Sequence, residues 1–269
     1  MQIRVVVENA SGCGLPTEHG LCLWVETGGR KFMFDLGQSG LFAENAARMG
    51  IEVREAEFAI VSHGHYDHGG GLRTFMALNE TAPVYVHRKA WGEHYSIRDG
   101  KETYIGLDSS LAGSERLVLT DSGCEIVEGI TLFAGSSGHE FCSPANRRIL
   151  RSERGQMVCD DFCHEQSLII QEGESCVLIA GCAHGGVLNI IARAEEVSGK
   201  PITHVVAGMH VKGVDDHAFI RGLAEALKAK DCMCYTCHCT GSEAYEEMKM
   251  VLGDKIAYVG AGDTIEIGV

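Results

Sequence analysis

Short apolar runs separated by glycine-rich or polar turns recur along most of the chain. In the first third, "IRVVVE", "GLCLWVE" and "KFMFD" indicate strands, and the turn "TGGR" predicts that the last two form a hairpin. "SGLFAENAARMGI" has helical spacing, with Leu41, Ala46 and Met49 on one side and Gly50 as a stop signal. "AEFAIVS" and "APVYVH" predict two further strands, with the helical segment "LRTFMALN" between them.

The middle of the chain, residues 88 to 165, is its least periodic part. Short strands are predicted at "ERLVLT", "CEIVE" and "ITLFAG". From Ser136 to Glu165 we expect a long loop, and long loops in compact domains are usually functional or mobile.

The last hundred residues alternate regularly between strand and helix patterns. "SLIIQ" and "CVLIA" predict a hairpin, and the segments "GGVLNIIARAEEVSG", "DDHAFIRGLAEALKAK" and "GSEAYEEMKMVLG" predict helices. Each half of the chain thus begins with strands and continues with helices. This order predicts an α/β fold of two sheets packed face to face with helices outside, a four-layer αββα sandwich forming a single domain over residues 1–269.

Composition and charge indicate which partners the protein can bind. The apolar content of 45% and charged content of 22% are ordinary for a globular protein, and no stretch approaches the roughly 20 apolar residues of a membrane span. The start "MQIRVVVENA" lacks the pattern of a signal peptide, so we expect a cytoplasmic protein with no membrane partner. A net charge of -14 argues against nucleic acid and leaves a small-molecule substrate. The arginine-rich stretch "NRRILRSERG" is either an exposed polar segment or an anion-binding lid.

Twelve cysteines without a secretory signal favour free thiols or metal ligands over disulfides. Cys22 and Cys176 lie inside strand-like runs and are expected to be small core residues. Four others fall in "CMCYTCHC", residues 232 to 239.

The stretch "IVSHGHYDHGGGL" carries the strongest chemical signal. His63, His65, Asp67 and His68 follow directly after a buried strand, at the end where α/β folds build their sites. Imidazole and carboxylate suit zinc, iron or manganese. Because alternate residues of an extended turn point the same way, the first two histidines can hold one ion, and the aspartate and third histidine a second ion nearby.

"SHGHYDHGGGL" resembles the metal-binding signature of the metallo-β-lactamase superfamily, and "FMFDLGQSG" resembles its usual approach from strand to loop. The resemblance implies an αββα sandwich and one or two divalent metals, with zinc as first choice and iron or manganese as alternatives. It also implies that further ligands lie at later strand ends.

Those later ligands are matched residue by residue. "CVLIAGCAH" carries Cys182 where the superfamily usually has a bridging aspartate, and His184 follows two residues later as a predicted ligand. Cys182 is either a thiolate ligand or a buried structural thiol, and loss of the bridging carboxylate leaves open whether one or two ions bind. In "CMCYTCHCTG", His238 resembles the last ligand histidine of the superfamily.

The cysteines around His238 offer a rival explanation. Cys232, Cys234, Cys237 and Cys239 could form a separate zinc or iron–sulfur site. Alternation along a strand places these four on opposite faces, which argues against a common ion.

Three histidines at the ends of other segments are predicted to bind substrate, namely His19, His139 and His210. Each could instead be a hydrogen-bonded structural residue. His210 is placed to orient substrate or to stabilise developing negative charge, and His139 competes with His184 as third ligand.

"HGHYDHGGGL", "GCAHGGVLNI", "GMHV", "HCTG" and the segment "DDFCHEQSLII" together resemble the 7,8-dihydropterin-6-methyl-4-(β-D-ribofuranosyl)aminobenzene-5'-phosphate synthase group. The resemblance implies condensation of a dihydropterin diphosphate with an arylamine. We therefore expect a metal-dependent hydrolase or transferase that acts on a small phosphorylated or ester-type metabolite. His63, His65 and His184 are predicted to hold one ion and Asp67, His68 and His238 the other, with Asp67 also accepting a proton. The alternative is a non-catalytic metal or redox sensor on the same scaffold, which the cysteine content suggests.

Overall fold

The computed structural model describes residues 1–268. In chain order, the strands are β1 (Gln2–Val7), β2 (Cys22–Thr27), β3 (Arg30–Phe34), β4 (Phe58–Val61), β5 (Val84–His87), β6 (His94–Arg98), β7 (Lys101–Tyr104), β8 (Leu117–Thr120), β9 (Gly123–Val127), β10 (Ile130–Ala134), β11 (Ile149–Glu153), β12 (Gln156–Cys159), β13 (Gln166–Glu172), β14 (Ser175–Ile179), β15 (His204–Ala207), β16 (Met233–Thr236), β17 (Ile256–Tyr258) and β18 (Thr264–Glu266). The helices are α1 (Leu41–Arg48), α2 (Tyr66–Gly69), α3 (Leu72–Leu78), α4 (Val187–Ser198), α5 (His217–Ala229) and α6 (Ser242–Leu252).

The chain divides into two compact units. The first unit comprises Met1–Asp121, Arg148–His164 and Gly260–Gly268, and the second comprises Ser122–Arg147 and Glu165–Val259. Each unit has its own buried apolar core. The single domain over residues 1–269 stays a prediction.

The main sheet of the first unit has the strand order β18-β1-β2-β3-β4-β5-β8. β1, β2 and β3 pair antiparallel, whereas β3, β4, β5 and β8 pair parallel. The β2–β3 hairpin predicted from "TGGR" is confirmed, because Gly28 and Gly29 both have the positive φ that a tight two-residue hairpin turn requires. β4 is therefore a central parallel strand, and its buried carboxyl end delivers the histidine motif.

The sheet of the second unit has the order β17-β16-β15-β14-β13-β10-β9. The predicted hairpin of β13 and β14 is confirmed, and β14 to β17 pair parallel. The three predicted helices of this region are α4, α5 and α6. Asp216 caps α5 by accepting a hydrogen bond from the Phe219 backbone N–H at 3.0 Å.

The long loop predicted from Ser136 to Glu165 is wrong in its second half. β11 and β12 form an antiparallel hairpin there, and β11 also pairs with β6 in a four-stranded sheet ordered β12-β11-β6-β7. Arg154 and Gly155 make its turn, both at positive φ. These strands were not recognised because their positions, mostly half-buried in β11 and mostly exposed in β12, give no regular alternation of apolar and polar residues.

Helix α1 forms where predicted, but its buried face differs. Phe42, Asn45 and Ala46 are buried, whereas Leu41 and Met49 are half-buried. Among residues 1–268, no helix is long and apolar enough to cross a membrane.

Candidate metal centre

The histidine motif of the first unit folds as an extended segment followed by a short helix. Ser62 to His65 leave β4, and α2 then carries Asp67 and His68. All four predicted ligands of this motif are buried. The rings of His63 and His65 lie 4.5 Å apart, and those of His63 and His68 lie 4.2 Å apart. The structure therefore brings the four residues of the motif together.

Asp35 directly follows β3 and orients the histidine rings through hydrogen bonds. Its fully buried carboxylate accepts hydrogen bonds from the Ser62 backbone N–H at 2.7 Å, the Ser62 hydroxyl at 2.8 Å and His68 Nδ1 at 2.6 Å. Ser62 Oγ also lies 2.8 Å from His63 Nδ1. Because a carboxylate only accepts hydrogen bonds, Nδ1 of His68 carries the ring proton and Nε2 is the nitrogen that would coordinate.

The three glycines after the motif serve close packing. A Cβ atom on Gly70 would lie 2.1 Å from the Gln38 carbonyl oxygen, and one on Gly71 would lie 2.2 Å from the Leu36 carbonyl oxygen. Only glycine allows the loop after β3 to approach α2 this closely. The run "GGGL" thus holds the motif against the loop that carries Asp35.

His19 is the predicted substrate-binding residue that the structure places beside the motif. Its Nε2 lies 3.2 Å from Asp67 Oδ2, and the ring is exposed while the carboxylate is nearly buried. His19 can therefore orient the Asp67 carboxylate from the solvent side.

A buried group that sequence reasoning missed adjoins His65. His94, Asp160 and His164 lie with it so that one ligand atom of each falls within 4.8 Å of the others. His164 Nδ1 accepts from the Gly64 backbone N–H at 3.0 Å, so its Nε2 carries the proton donated to Asp160 at 3.2 Å.

The electrostatics of this group follow from burial and from Asp160. Burial, reinforced by the neighbouring His164, lowers the pKa of His65 well below its usual value and keeps the ring neutral, as a metal ligand must be. Burial alone would raise the pKa of Asp160, but hydrogen bonds from His164 and from His94 Nδ1 outweigh it and lower that pKa. Asp160 and His164 lie in "DDFCHEQSLII". The resemblance of this segment to the synthase group was the signal in the sequence that could have pointed to them.

In the second unit, the loop after β14 presents His184. Its Nδ1 lies 3.0 Å from Asn146 Oδ1, and Glu165 accepts from the backbone N–H groups of His184 at 2.7 Å and Gly185 at 2.9 Å. Burial raises the pKa of Glu165 to about 7, against the lowering effect of those two N–H groups. Glu165, which sequence reasoning also missed, positions the backbone of His184.

His210 lies next to His184, with ring centroids 4.2 Å apart. Its backbone N–H points to Cys239 Sγ at 3.1 Å, and Cys182, His210 and Cys239 form a further group of neighbouring ligand atoms. Burial would raise the pKa of the Cys239 thiol, but hydrogen bonding to Cys182 and His210 lowers it well below its usual value.

His238 is buried and begins a one-turn 3-10 helix after β16, with a positive φ of 52°. Cys232 and Cys234 share a face, with sulfur atoms 3.9 Å apart, as alternation predicts. Within residues 1–268, no group of three or more neighbouring ligand atoms contains two of the four cysteines between residues 232 and 239. The rival four-cysteine site therefore has no support in the geometry.

His139 differs from the other predicted residues. It is exposed, and none of the ligand groups found in the described part of the chain includes it. Its predicted roles in substrate binding and as a rival ligand remain predictions.

The donor set fits a divalent transition metal. Buried imidazoles whose far nitrogens are held by a serine hydroxyl and a carboxylate, together with the nearby carboxylate of Asp67, are the N and O ligands that zinc, iron and manganese accept.

Comparisons with known proteins show what this chain is similar to. The family model of the metallo-β-lactamase superfamily matches residues 15–139. The chain is 24% identical over 266 residues to an uncharacterised protein of Methanocaldococcus jannaschii, covering 96% of this chain and 98% of the relative. It is also 24% identical over 264 residues to the 7,8-dihydropterin-6-methyl-4-(β-D-ribofuranosyl)-aminobenzene-5'-phosphate synthase of that organism, covering 91% of this chain and 89% of the relative.

A solved structure of a metal-dependent hydrolase of the β-lactamase superfamily superposes with a TM-score of 0.86 and 28% identity, and the match covers 100% of both chains. The predicted α/β fold and the resemblance behind it are thereby confirmed. The chain has the metallo-β-lactamase fold, and its residues 15–139 match the model of that superfamily.

Proposed function

We propose that this chain is a metal-dependent hydrolase or transferase that acts on a small phosphorylated or ester-type metabolite. The observation that carries the proposal is the support behind the motif. Asp35 and Ser62 hold the Nδ1 atoms of His68 and His63, respectively. This buried polar support orients the two rings so that their Nε2 atoms can bind a metal. The match of residues 15–139 to the superfamily model and a full-length match to a metal-dependent hydrolase support the same class.

In the first unit, His63, His65, Asp67 and His68 would hold the metal, with zinc as first choice. His184 and His238 stay predicted ligands. Metal of this kind acts as a Lewis acid and, for hydrolysis, lowers the pKa of bound water to about 7. Asp67 would accept the proton of the nucleophile, and His19, 3.2 Å away, would orient that carboxylate.

The reaction is either hydrolysis or group transfer. The relative named as a synthase, 24% identical over most of both chains, supports condensation of a dihydropterin diphosphate with an arylamine as a candidate. A structural relative described as a hydrolase supports the other branch.

Metal analysis and a substrate screen test this proposal. We expect at least one equivalent of a transition metal in protein purified without added ions, or after reconstitution with zinc, manganese or iron. Reconstituted protein is then assayed on phosphodiesters, lactones, thioesters and the dihydropterin diphosphate with an arylamine, with pyrophosphate release as the readout for transfer. Metal below about half an equivalent that reconstitution does not restore would refute the proposal.

The neighbouring ligand atoms of Cys182, His210 and Cys239 favour a second candidate, a redox or metal sensor. Against the opposing effect of burial, hydrogen bonding to Cys182 and His210 lowers the pKa of Cys239, which favours the thiolate form that oxidants attack. This candidate predicts that mild peroxide changes metal content or oligomeric state, with no turnover in the substrate screen.

A further inference from the structure

A cavity of about 430 Å³ opens in the first unit, and His94 and His164 are among the residues that line it. The turn after β5 supplies Arg88, Lys89 and Trp91, and β11 supplies Arg151. This volume is in the range of small-molecule sites. The two histidines belong to the buried group beside His65, so the cavity adjoins the motif.

The lining is cationic although the chain as a whole carries a net charge of -14. Arg88, Lys89 and Arg151 line the cavity, and Glu93 is the carboxylate among the lining residues. Lys89 makes no ion pair with any carboxylate in the part of the chain that the structure describes. Arg88 pairs with Asp121 at 3.2 Å and Arg151 pairs with Glu153 and Asp161, so Lys89 is the lining cation whose charge favours an anionic ligand most directly.

Two buried N–H donors of the lining residues add to this preference. Trp91 Nε1 and Arg151 Nε are buried and have no hydrogen-bond partner among residues 1–268. Arg151 uses its Nη2 for Glu153 at 3.2 Å and Asp161 at 3.1 Å, which fixes the guanidinium while leaving Nε unused. A buried donor without an acceptor destabilises the free protein, so a ligand oxygen that accepts from it is favoured.

Phosphate is the anion that suits this set of donors. It is doubly charged near neutral pH, offers several acceptor oxygens, and matches the fork of an arginine beside a lysine point charge. The aromatic face of Trp91 adds a surface for a flat ring attached to the phosphate.

We infer that this cavity is a subsite for a phosphate group, held by Arg151, Lys89 and the Trp91 N–H. The inference deepens the proposed function, on which it rests for the reaction, by assigning a phosphorylated substrate class. It also gives a role to the arginine-rich stretch of residues 146–155, in which Arg151 lies.

Tryptophan fluorescence of the metal-loaded, full-length protein tests the inference. The chain has two tryptophans, and Trp24 is in the core, so a signal from ligand in the cavity reports on Trp91. Inorganic phosphate and phenyl phosphate are titrated separately, with phenol as the uncharged control. We expect both anions to change the fluorescence, and Trp91→Phe to abolish that change.

Arg151→Gln and Lys89→Gln should each weaken phosphate binding about tenfold, the loss of one charge-assisted hydrogen bond. Arg148→Gln is the matched control, because Arg148 is an exposed arginine of the same stretch that does not line the cavity. Lys89 is exposed, so its substitution leaves the fold intact and keeps the test valid if Arg151→Gln unfolds. Tighter binding of phenyl phosphate than of phosphate would assign the subsite to a phosphorylated metabolite, and the reverse to free phosphate.

Equal phosphate affinity in Lys89→Gln, Arg148→Gln and the unchanged protein would overturn the inference. Repeating the titration after chelation separates this subsite from phosphate bound to metal, because cavity binding must survive removal of the metal. The two proposals also fail separately. Turnover that is unaffected by Lys89→Gln and Arg151→Gln would refute the subsite and leave the proposed function standing. Phosphate binding by protein that holds no metal and shows no turnover would refute the proposed function and leave the subsite standing.

Discussion

Replacing Asp35 with asparagine should uncouple the metal site from its support without reshaping the loop. Asp35 has a φ of 59°, a conformation that asparagine tolerates. Its carboxylate accepts three hydrogen bonds, one at Oδ1 and two at Oδ2, and the asparagine amide can accept at only one end.

The least costly arrangement turns the new NH2 group towards Ser62 Oγ and His68 Nδ1. His68 must then accept at Nδ1, which moves its proton to Nε2 and removes that nitrogen as a ligand. Loss of such a support typically lowers metal affinity 10- to 100-fold, about 1.4 to 2.7 kcal/mol. Separately, the loss of hydrogen bonds to the charged carboxylate should lower the free energy of unfolding by about 2 kcal/mol.

Competition with a chromophoric zinc chelator measures the affinity, and urea unfolding measures the stability. Asp108→Asn is the matched control, because Asp108 is an exposed carboxylate that bonds Arg73 and Ser110 and should leave zinc affinity unchanged. Ser62→Ala keeps the bond between Asp35 and His68 and should cost less affinity than Asp35→Asn. Zinc affinity of folded Asp35→Asn within about twofold of the unchanged protein would refute the reasoning about the tautomer.

Three further substitutions test the packing and the predicted ligands. Gly70→Ala should destabilise the fold by about 2 kcal/mol, because the new methyl group would lie 2.1 Å from the Gln38 carbonyl oxygen, and an unchanged melting temperature would contradict this. Asn79→Ala should cost about 3 kcal/mol in urea unfolding, since the buried amide donates to the carbonyls of residues 53, 54 and 56, and a cost below about 1 kcal/mol would count against it. His238→Ala should lose one metal equivalent and most activity while Cys237→Ser retains both, and full metal in the first variant would remove His238 from the ligand set.

Local sequence determined the elements whose patterns are apolar. The β2–β3 hairpin follows from two glycines between alternating runs, and α5 follows from Asp216 before an amphipathic stretch. The strands β6, β7, β11 and β12 were missed, because their positions are mostly half-buried or exposed and carry no periodic apolar signal, and pairing with one another stabilises them.

The motif itself was also a local signal. Four ligand residues within six positions after a buried strand are brought together by the turn alone, whatever the rest of the chain does. The family resemblance then extended the sequence argument to the fold, and the structural match confirmed it.

Only the tertiary structure decided what surrounds the motif. Asp35 lies 33 residues from its partner His68, and His94 lies 66 residues from Asp160. Contacts at such separations depend on the order of strands in the sheets, to which spacing along the chain gives no access. Single histidines, aspartates and arginines far apart in sequence carry no pattern of their own, so their convergence around His65 and the cationic cavity becomes visible only once the chain is folded.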